Sequence, residues 1–316
     1  KPAHPTASAD PTIRSHRGVV RGRLAKWLDN ERILAYTILT PAVGLVVAFG
    51  HFPALSSLRL AFMKYNIKQP GRESFVGLEN FWTVLTDPSF HAALIRVAYF
   101  MGLALVLVMG VALFFALVLN EDFKGRGIVR AIVIIPWAIP PVVSGHMWKW
   151  ILNGEYGALN GLLLQIGIID QYQFWLSDPL TALSAASFVF VWRFVPFVTI
   201  LFLGVLQSIP QELYESAAVD GASTFARFRH ITLPSLATIG AIAVVLTLIM
   251  SFNVFDEIFA LTGASEVTRT PMIYNYETTF IEGRFGRGAA MAYLTGLILF
   301  LLSLAYMRMS LKEQDV

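Results

Sequence analysis

Six apolar stretches, each long enough to cross a bilayer as a helix, limit what this chain of 316 residues can fold into. About 20 apolar residues are needed to span about 30 Å of hydrocarbon. Backbone groups in lipid must satisfy their hydrogen bonds within helices or closed barrels. The sequence therefore predicts an all-α, polytopic membrane protein with six transmembrane helices. The stretches cover residues 33–52, 93–119, 128–152, 180–206, 236–259 and 289–307.

Composition agrees with lipid as the surrounding solvent. Hydrophobic residues make up 56% of the chain and charged residues only 14%, which is too little polar surface to cover a globule of this size in water. The apolar stretches are spread along most of the length, so a single membrane domain is expected over 33–312, followed by a short tail at 313–316. The chain has no cysteine, which excludes disulfides, thiolate catalysis and cysteine-ligated metal sites.

Residues 1–32 are basic, have no apolar core of signal-peptide length and are predicted to form a tail. An alternative is a short interfacial helix on lipid headgroups around 21–28, where cations flank Trp27. Lys and Arg are about twice as frequent in the connections on the N-terminal side as on the opposite side. This bias places both termini and the loop 207–235 in the cytoplasm.

Prolines inside the predicted spans are expected to break them, because each one removes a helix hydrogen bond and clashes with the preceding turn. Three prolines in the third span favour a helix that moves or lines a pathway, while kinks that only improve packing are the alternative. The prolines are Pro41 and Pro53 in the first span, Pro136, Pro140 and Pro141 in the third, and Pro196 in the fourth.

A helix-prone polar segment, 207–235, separates the fourth and fifth spans. Pro210 is expected to end the fourth span. Glu212 and Glu215 are expected in the first turn of a new helix, where the dipole is positive. Gly221 has no Cβ and can supply a sharp turn or let another backbone approach closely.

A second short helix is predicted beyond that glycine. Phe225, Phe228 and Ile231 recur every three residues and form one apolar stripe, and Leu233 and Pro234 are expected to end the helix. Two short helices that expose aromatic rings on the membrane surface would fit a groove on a partner protein. An amphipathic loop that simply lies on lipid is the alternative.

The spacing within this loop resembles the EAA loop of the membrane permeases of ABC importers. That pattern is Glu-Ala-Ala, three residues, Gly, nine residues, Ile, one residue, Leu-Pro, and only Ser216 departs from it here. The positions in register are Glu215, Ala217, Gly221, Ile231, Leu233 and Pro234.

The resemblance extends over about residues 33–312 and is closest to the sugar-permease branch, the relatives of the maltose permease large subunit. This chain departs from the branch at 263–266, where Gly-Ala-Ser-Glu replaces the common Gly-Gly-Gly-Pro ending, so its contact with a delivery protein is expected to differ. The motifs that carry the resemblance begin at Val76, Asp87, Pro136, Tyr156, Trp192, Leu206, Ser251 and Leu261.

The resemblance implies the type I ABC importer permease fold in the bacterial inner membrane. It also implies a heterodimer with a sister permease, two ATP-binding subunits that receive the loop, and an extracytoplasmic substrate-binding protein. ATP and magnesium would belong to the ATPases, since this chain has no phosphate-binding loop motif. No cofactor or metal is expected in this chain, and it is not expected to be an enzyme. The residues implied in coupling are Glu212, Glu215, Ala217, Asp220, Gly221, Phe225, Ile231, Leu233 and Pro234.

Two stretches are candidates for the substrate pathway, because they align with sugar-contacting stretches of the maltose-type relatives. Polar groups inside spans usually face the bundle interior or water. Arg193 could donate to sugar hydroxyls, while a structural ion pair or interhelical hydrogen bond is the alternative for Arg193 and Asp256. The pathway candidates are Phe190, Arg193, Phe194 and Phe197 in the fourth span, and Ser251, Asn253 and Asp256 in the fifth.

The substrate class stays partly open at this stage. Aromatic rings with one arginine suit a disaccharide such as trehalose or maltose, whereas an arginine also suits the phosphate of a glycerol-phosphate-type substrate. A secondary, ion-coupled sugar transporter is the alternative of a different class, with Asp256 and Glu257 as proton carriers. No feature of the chain favours a nucleic-acid partner.

Overall fold

The computed structural model describes residues 31–312, with side chains through residue 308. The predictions for the tails 1–30 and 313–316 therefore fall outside the described residues. The described part is helical apart from one antiparallel pair of two-residue strands, β1 (Met63–Lys64) and β2 (Ser74–Phe75). The predicted all-α class is confirmed. The chain divides into two compact units between residues 59 and 60.

In the first unit the structure describes residues 31–59, which are helical and bury none of their side chains. Pro41 lies inside the first helix without ending it, so the predicted break there is wrong. Pro53 is the second residue after a π-helical turn in which the N–H of Phe52 donates to Val47 O. The wider turn accommodates the proline. The segments are α1 (Glu31–Val46), the π-turn (Val47–His51) and α2 (Phe52–Ala61).

The second unit contains the remaining helices. Three of its continuous helices, including the last one, are long and apolar enough to span a membrane. Two bent helix pairs could each form one further span. In chain order the helices are α3 (Glu79–Leu85), α4 (Pro88–Asn120), α5 (Arg126–Ala138), α6 (Pro141–Ile151), α7 (Ala158–Gln165), α8 (Pro179–Leu206), α9 (Gln211–Val219), α10 (Thr224–Arg227), α11 (Leu233–Ser235), α12 (Ala237–Phe252), α13 (Asp256–Thr262), α14 (Pro271–Tyr276) and α15 (Phe285–Lys312).

The core of this unit lies between α4 and α8, which form its most extensive helix pair. A stripe of three alanines and one valine recurs at every fourth position on α4 and is fully buried: Ala104, Val108, Ala112 and Ala116. Such a stripe lets two helices approach closely in a membrane. Phe100 continues the stripe and packs edge-on against Phe190 of α8, with ring centroids 5.6 Å apart.

The third predicted span is sharply bent. Helices α5 and α6 meet at 99°, with Pro140 and Pro141 at the start of α6, which confirms a break in the third span. Pro136 lies inside α5, one turn before the bend. Pro196 does not break the fourth span, because α8 continues through it to Leu206 and is buried on several sides at that level. The predicted break at Pro196 is wrong.

The fifth predicted span ends early. Helix α12 stops at Phe252 and three residues separate it from α13, so the apolar stretch to residue 259 is not one helix. The side-chain amide of Asn253 donates to the carbonyl of Ile249 at 2.9 Å, and the backbone N–H of Asn253 donates to the same oxygen at 3.2 Å, so Asn253 caps the end of the helix. With each bent pair counted as one span, the described residues contain up to six spans.

A polar cluster ties the first turn of α4 to α14 and α15, and we call it the Asp87 clamp. Asp87 accepts hydrogen bonds from Ser89 N at 2.8 Å and Tyr274 Oη at 2.5 Å, and forms an ion pair with Arg287. Burial acts to raise the pKa of Asp87, but these bonds and the arginine outweigh it, so the pKa lies below its usual value. Burial and the bond to Asp87 raise the pKa of Tyr274 to about 12.

The Asp87 clamp is expected to make stability depend on acid pH. A carboxyl whose pKa is depressed on folding contributes stability that is present above its unfolded pKa and lost as pH falls through its folded pKa. Asp87→Asn should lower the free energy of unfolding by about 2 kcal/mol at pH 7 and by much less near pH 3. Denaturation in detergent at both pH values measures this.

The control is Asp178→Asn, at the exposed N-cap of α8. This variant should retain the wild-type loss of stability on acidification. A pH dependence that is the same in wild type and Asp87→Asn would contradict the role of the clamp.

Candidate functional site

The loop between α8 and α12 folds as a helical hairpin, residues 211–235, which turns at Gly221. Gly221 has φ +81°, a conformation that residues with a Cβ rarely adopt. The N–H of Ala222 donates to Ala217 O at 2.9 Å and that of Gly221 to Ala218 O at 3.1 Å. This pair of bonds is the Schellman ending of a helix. The sharp turn predicted at Gly221 is therefore confirmed.

The second arm of the hairpin begins at Ser223, whose hydroxyl accepts from Ala226 N at 3.2 Å. It continues past α10 through a π-helical turn, Phe228–Thr232, into α11. Pro234 lies two residues after the π-turn, as Pro53 does in the first unit, and the wider turn accommodates the proline. The helix ends at Ser235, one residue beyond the predicted end at Leu233 and Pro234, and the 64° bend to α12 follows at residue 236.

One hydrogen bond joins the two arms, between the hydroxyls of Tyr214 and Thr232 at 2.9 Å. Thr232 is buried and Tyr214 is half-buried, so this contact holds the arms together from within. Sequence reasoning missed it. Both hydroxyl groups are evident in the sequence of the loop and are natural partners for each other. Whether they face each other depends on the π-turn, whose register was not predictable from sequence.

The hairpin presents an apolar surface that no described residue covers. Phe225 is 69% exposed and Val219 is 89% exposed, and Leu213 and Leu233 are exposed as well. Ile231 and Ala217 are half-buried. An exposed apolar patch of this kind on a polar loop marks an interaction site.

The acidic residues of the hairpin lie at its polar edge. Glu212 is in the first turn of α9, as predicted, whereas Glu215 is in the second turn and its predicted position is wrong by one turn. The helix begins at Gln211, directly after Pro210, which sets this register. Asp220 caps the C-terminal end of α9 and is exposed.

A buried ion pair joins α8 to α13 inside the second unit. The Nη2 and Nε of Arg193 lie 2.5 Å and 2.7 Å from Glu257 Oε1. The side chains are 15% and 5% exposed, respectively. A structural ion pair was one expectation for Arg193, but the partner is Glu257 and not Asp256, which is exposed. Helix α13 starts afresh after the break at 253–255, and this start sets which carboxylate faces inward.

The aromatic candidates of the fourth span divide between two environments. Phe190 and Phe194 stack on each other, with ring centroids 5.3 Å apart, and both are buried in the core. In this structure these two rings therefore pack between helices and do not face a cavity. Phe197 is half-buried beside Trp137, with centroids 5.5 Å apart. The expectation that all of these rings line one open face is wrong for Phe190 and Phe194.

The polar candidates of the fifth span also differ from one another. The Ser251 hydroxyl is buried and donates to Thr247 O at 2.6 Å within α12. Asn253 and Asp256 are exposed at the break between α12 and α13. Within residues 31–308, no group of three or more His, Asp or Glu side chains is placed to hold a metal ion.

Comparison with known families decides the class of the chain. A family model described as the binding-protein-dependent transport system inner membrane component matches residues 109–310. The chain belongs to this family. The match includes the whole 211–235 hairpin and the Arg193–Glu257 pair, and the resemblance inferred from the EAA spacing is confirmed.

Relatives of this inner membrane component include the trehalose/maltose transport system permease protein MalF of Thermococcus litoralis. It is 35% identical over 291 residues, which are 90% of this chain and 96% of that one. The trehalose transport system permease protein SugA of Mycobacterium tuberculosis is 31% identical over 268 residues, 84% of each chain.

The fold matches that of a bacterial ABC transporter involved in the import of the acidic polysaccharide alginate. The TM-score is 0.79 at 26% identity, over 92% of this chain and 99% of that one. The predicted type I ABC importer permease fold is confirmed. The chain is a multi-pass permease of the inner membrane.

Proposed function

We propose that this permease forms one half of the translocation pathway of an ATP-driven carbohydrate importer, opposite a sister permease. Two ATP-binding subunits, which carry the ATP and magnesium, would receive the 211–235 hairpin. The observation that carries the coupling proposal is the exposed apolar surface around Phe225 and Val219 on a hairpin fixed by a glycine turn. Closure of the ATPases would move this hairpin and switch access to the pathway.

The hairpin lies on the cytoplasmic side in this proposal, together with both termini. The excess of Lys and Arg in the connections on that side supports the orientation. The bend between α11 and α12 lies where the hairpin meets the fifth span, so a displacement of the hairpin would be transmitted directly to α12.

A neutral sugar is the substrate class that we propose, a disaccharide such as trehalose or maltose. Arg193 is already neutralised by Glu257, so it offers no free positive charge to a phosphate or carboxylate. The names of two relatives, a trehalose/maltose permease and a trehalose permease, support the same class. A glycerol-phosphate-type substrate, the alternative, would need a counter-charge other than this arginine.

The pathway in this proposal is lined at the exposed break between α12 and α13. Asn253 and Asp256 would meet the sugar there, and Phe197 would offer a ring to its apolar face. Ser251 and the Arg193–Glu257 pair would support these groups from the interior. Phe190 and Phe194 would hold Arg193 in place through core packing.

An extracytoplasmic substrate-binding protein would deliver the sugar. A solved relative has been crystallised in complex with a periplasmic protein bound to an alginate pentasaccharide. The departure at 263–266 from the common sequence of the sugar branch lies directly after α13, where a delivery protein would approach the pathway.

Affinity purification of the full chain from its native membrane in mild detergent tests this proposal. We expect a second permease and an ATPase with a phosphate-binding loop to be recovered, and the accompanying binding protein to prefer neutral disaccharides over sugar phosphates in a binding screen. Recovery of the chain alone, in a form that takes up sugar when an ion gradient is the only energy source, would instead establish the secondary transporter.

A further inference from the structure

An apolar groove opens between α4, α8 and the start of α12. Its cavity volume is about 290 Å³, and every residue that lines it is apolar or glycine. A dry apolar groove favours an apolar occupant over water. The lining residues are Met109, Gly110, Leu113, Phe202, Leu233, Leu236, Ala237 and Gly240.

Two glycines on facing helices create this space. A Cβ at Gly110 would meet no atom within 4 Å, and a Cβ at Gly240 would only touch the ring of Phe202 at 4.0 Å. The groove continues an exposed stripe of α4, where Val106 and Phe114 lie one turn to either side of Gly110. An apolar helix stripe exposed on a transmembrane helix is the surface that contacts lipid tails.

The depth of the groove also suits a lipid tail. Leu113 lies seven residues before the last residue of α4, Asn120, which is about 10 Å along the helix axis. Phe202 lies one turn from the end of α8. The groove is therefore beneath the membrane surface, at the level of the first part of an acyl chain.

The second arm of the hairpin carries a cation close to the groove in sequence. Arg229 precedes the groove residue Leu233 by four residues, within the π-helical turn Phe228–Thr232, and so lies about one turn closer to the tip of the hairpin. Arg229 is exposed, and no described residue bonds to its side chain. A guanidinium in this position complements the phosphate of an anionic headgroup.

We propose that this groove binds an acyl chain of an anionic phospholipid, whose headgroup is held by Arg229. The occupant would lie against Leu233 and Leu236, at the bend between the hairpin and α12. The cytoplasmic position of the groove rests on the proposed function, but the lipid site itself requires neither ATP nor a partner subunit.

Photolabelling tests the tail site. The full chain, with the partners that co-purify with it, is placed in vesicles of phosphatidylethanolamine and phosphatidylglycerol containing a phosphatidylglycerol with a photoreactive tail. We expect labelled peptides from the groove in wild type, and at least a fivefold loss in Gly110→Leu and Gly240→Leu. The matched control is Gly102→Leu, because Gly102 is exposed on the same face of α4 two turns away and also has no atom within 4 Å of its Cβ position.

The headgroup is tested separately. Wild type should label more strongly with phosphatidylglycerol than with phosphatidylcholine of the same tail. Arg229→Gln should reduce this ratio of labelling to near unity, whereas Lys124→Gln should leave it unchanged.

Equal labelling in Gly102→Leu and Gly110→Leu would overturn the site. Labelling that appears only after the partner permease is removed would overturn it too, because the groove would then be a protein interface. Lipid labelling is independent of sugar uptake, so either proposal can fail alone.

Discussion

Glu257→Gln is expected to lower the free energy of unfolding of this permease by about 3 kcal/mol and to abolish sugar uptake. The change leaves the guanidinium of Arg193 buried inside the helix bundle without its counter-charge, while the pair in wild type is joined by two contacts of 2.5 Å and 2.7 Å. Removing one partner of a buried pair is costly because the remaining charge stays desolvated. Denaturation in detergent and uptake in proteoliposomes measure the two effects.

The neighbouring carboxylate supplies the matched control. Asp256 precedes Glu257 directly but is exposed and has no hydrogen bond or ion pair to any described residue. Asp256→Asn should therefore change stability by less than about 0.5 kcal/mol. An equal loss of stability in Asp256→Asn and Glu257→Gln would show that the buried pair is not the cause.

A double variant separates the structural role from the transport role. Arg193→Met with Glu257→Leu replaces the ion pair by apolar side chains of similar size, which is often neutral or stabilising. We expect it to recover most of the stability lost in Glu257→Gln. Uptake then decides the function of the pair: a stable double variant that transports normally would make Arg193 and Glu257 a structural tie only.

The transmembrane helices could largely be predicted from sequence, because length and hydrophobicity are sufficient to identify a span. The bend at Pro140 was predictable for the same local reason, since a proline pair cannot continue a helix. Pro196 shows the limit of that argument. The proline removes a single hydrogen bond, and the burial of α8 on several sides keeps the helix continuous.

The polar centre could be predicted only in part. Arg193 was recognisable as a charge inside a span, but its partner depended on the break at 253–255, which determines the helical phase of α13. Phe190 and Phe194 follow helical spacing with Arg193, yet α8 is apolar on nearly all sides, so spacing could not tell which face is core. The hairpin was easier, because Gly221 marks its turn directly.

Gly221→Asp is expected to reduce ATP-driven sugar uptake at least tenfold while leaving the permease folded and abundant. Gly221 has φ +81°, and a Cβ added there would meet no atom within 4 Å, so inside this chain an aspartate costs only the strain of a left-handed backbone, about 1 kcal/mol. The large effect is expected from the partner. A side chain and a negative charge at the tip of the hairpin would block its entry into a cleft of the ATP-binding subunit.

Gly125→Asp is a closely matched control for this experiment. Gly125 has φ +88°, also has no atom within 4 Å of its Cβ position, and precedes α5 in a loop on the same side of the membrane in the proposed topology. The backbone strain and the added charge are therefore similar, but the residue is outside the hairpin. Uptake, ATPase stimulation by the loaded binding protein and co-purification of the ATPase should all fall in Gly221→Asp and persist in Gly125→Asp. Normal uptake in Gly221→Asp would refute coupling through the hairpin, because the added side chain and charge at its tip would then not prevent it from engaging a partner.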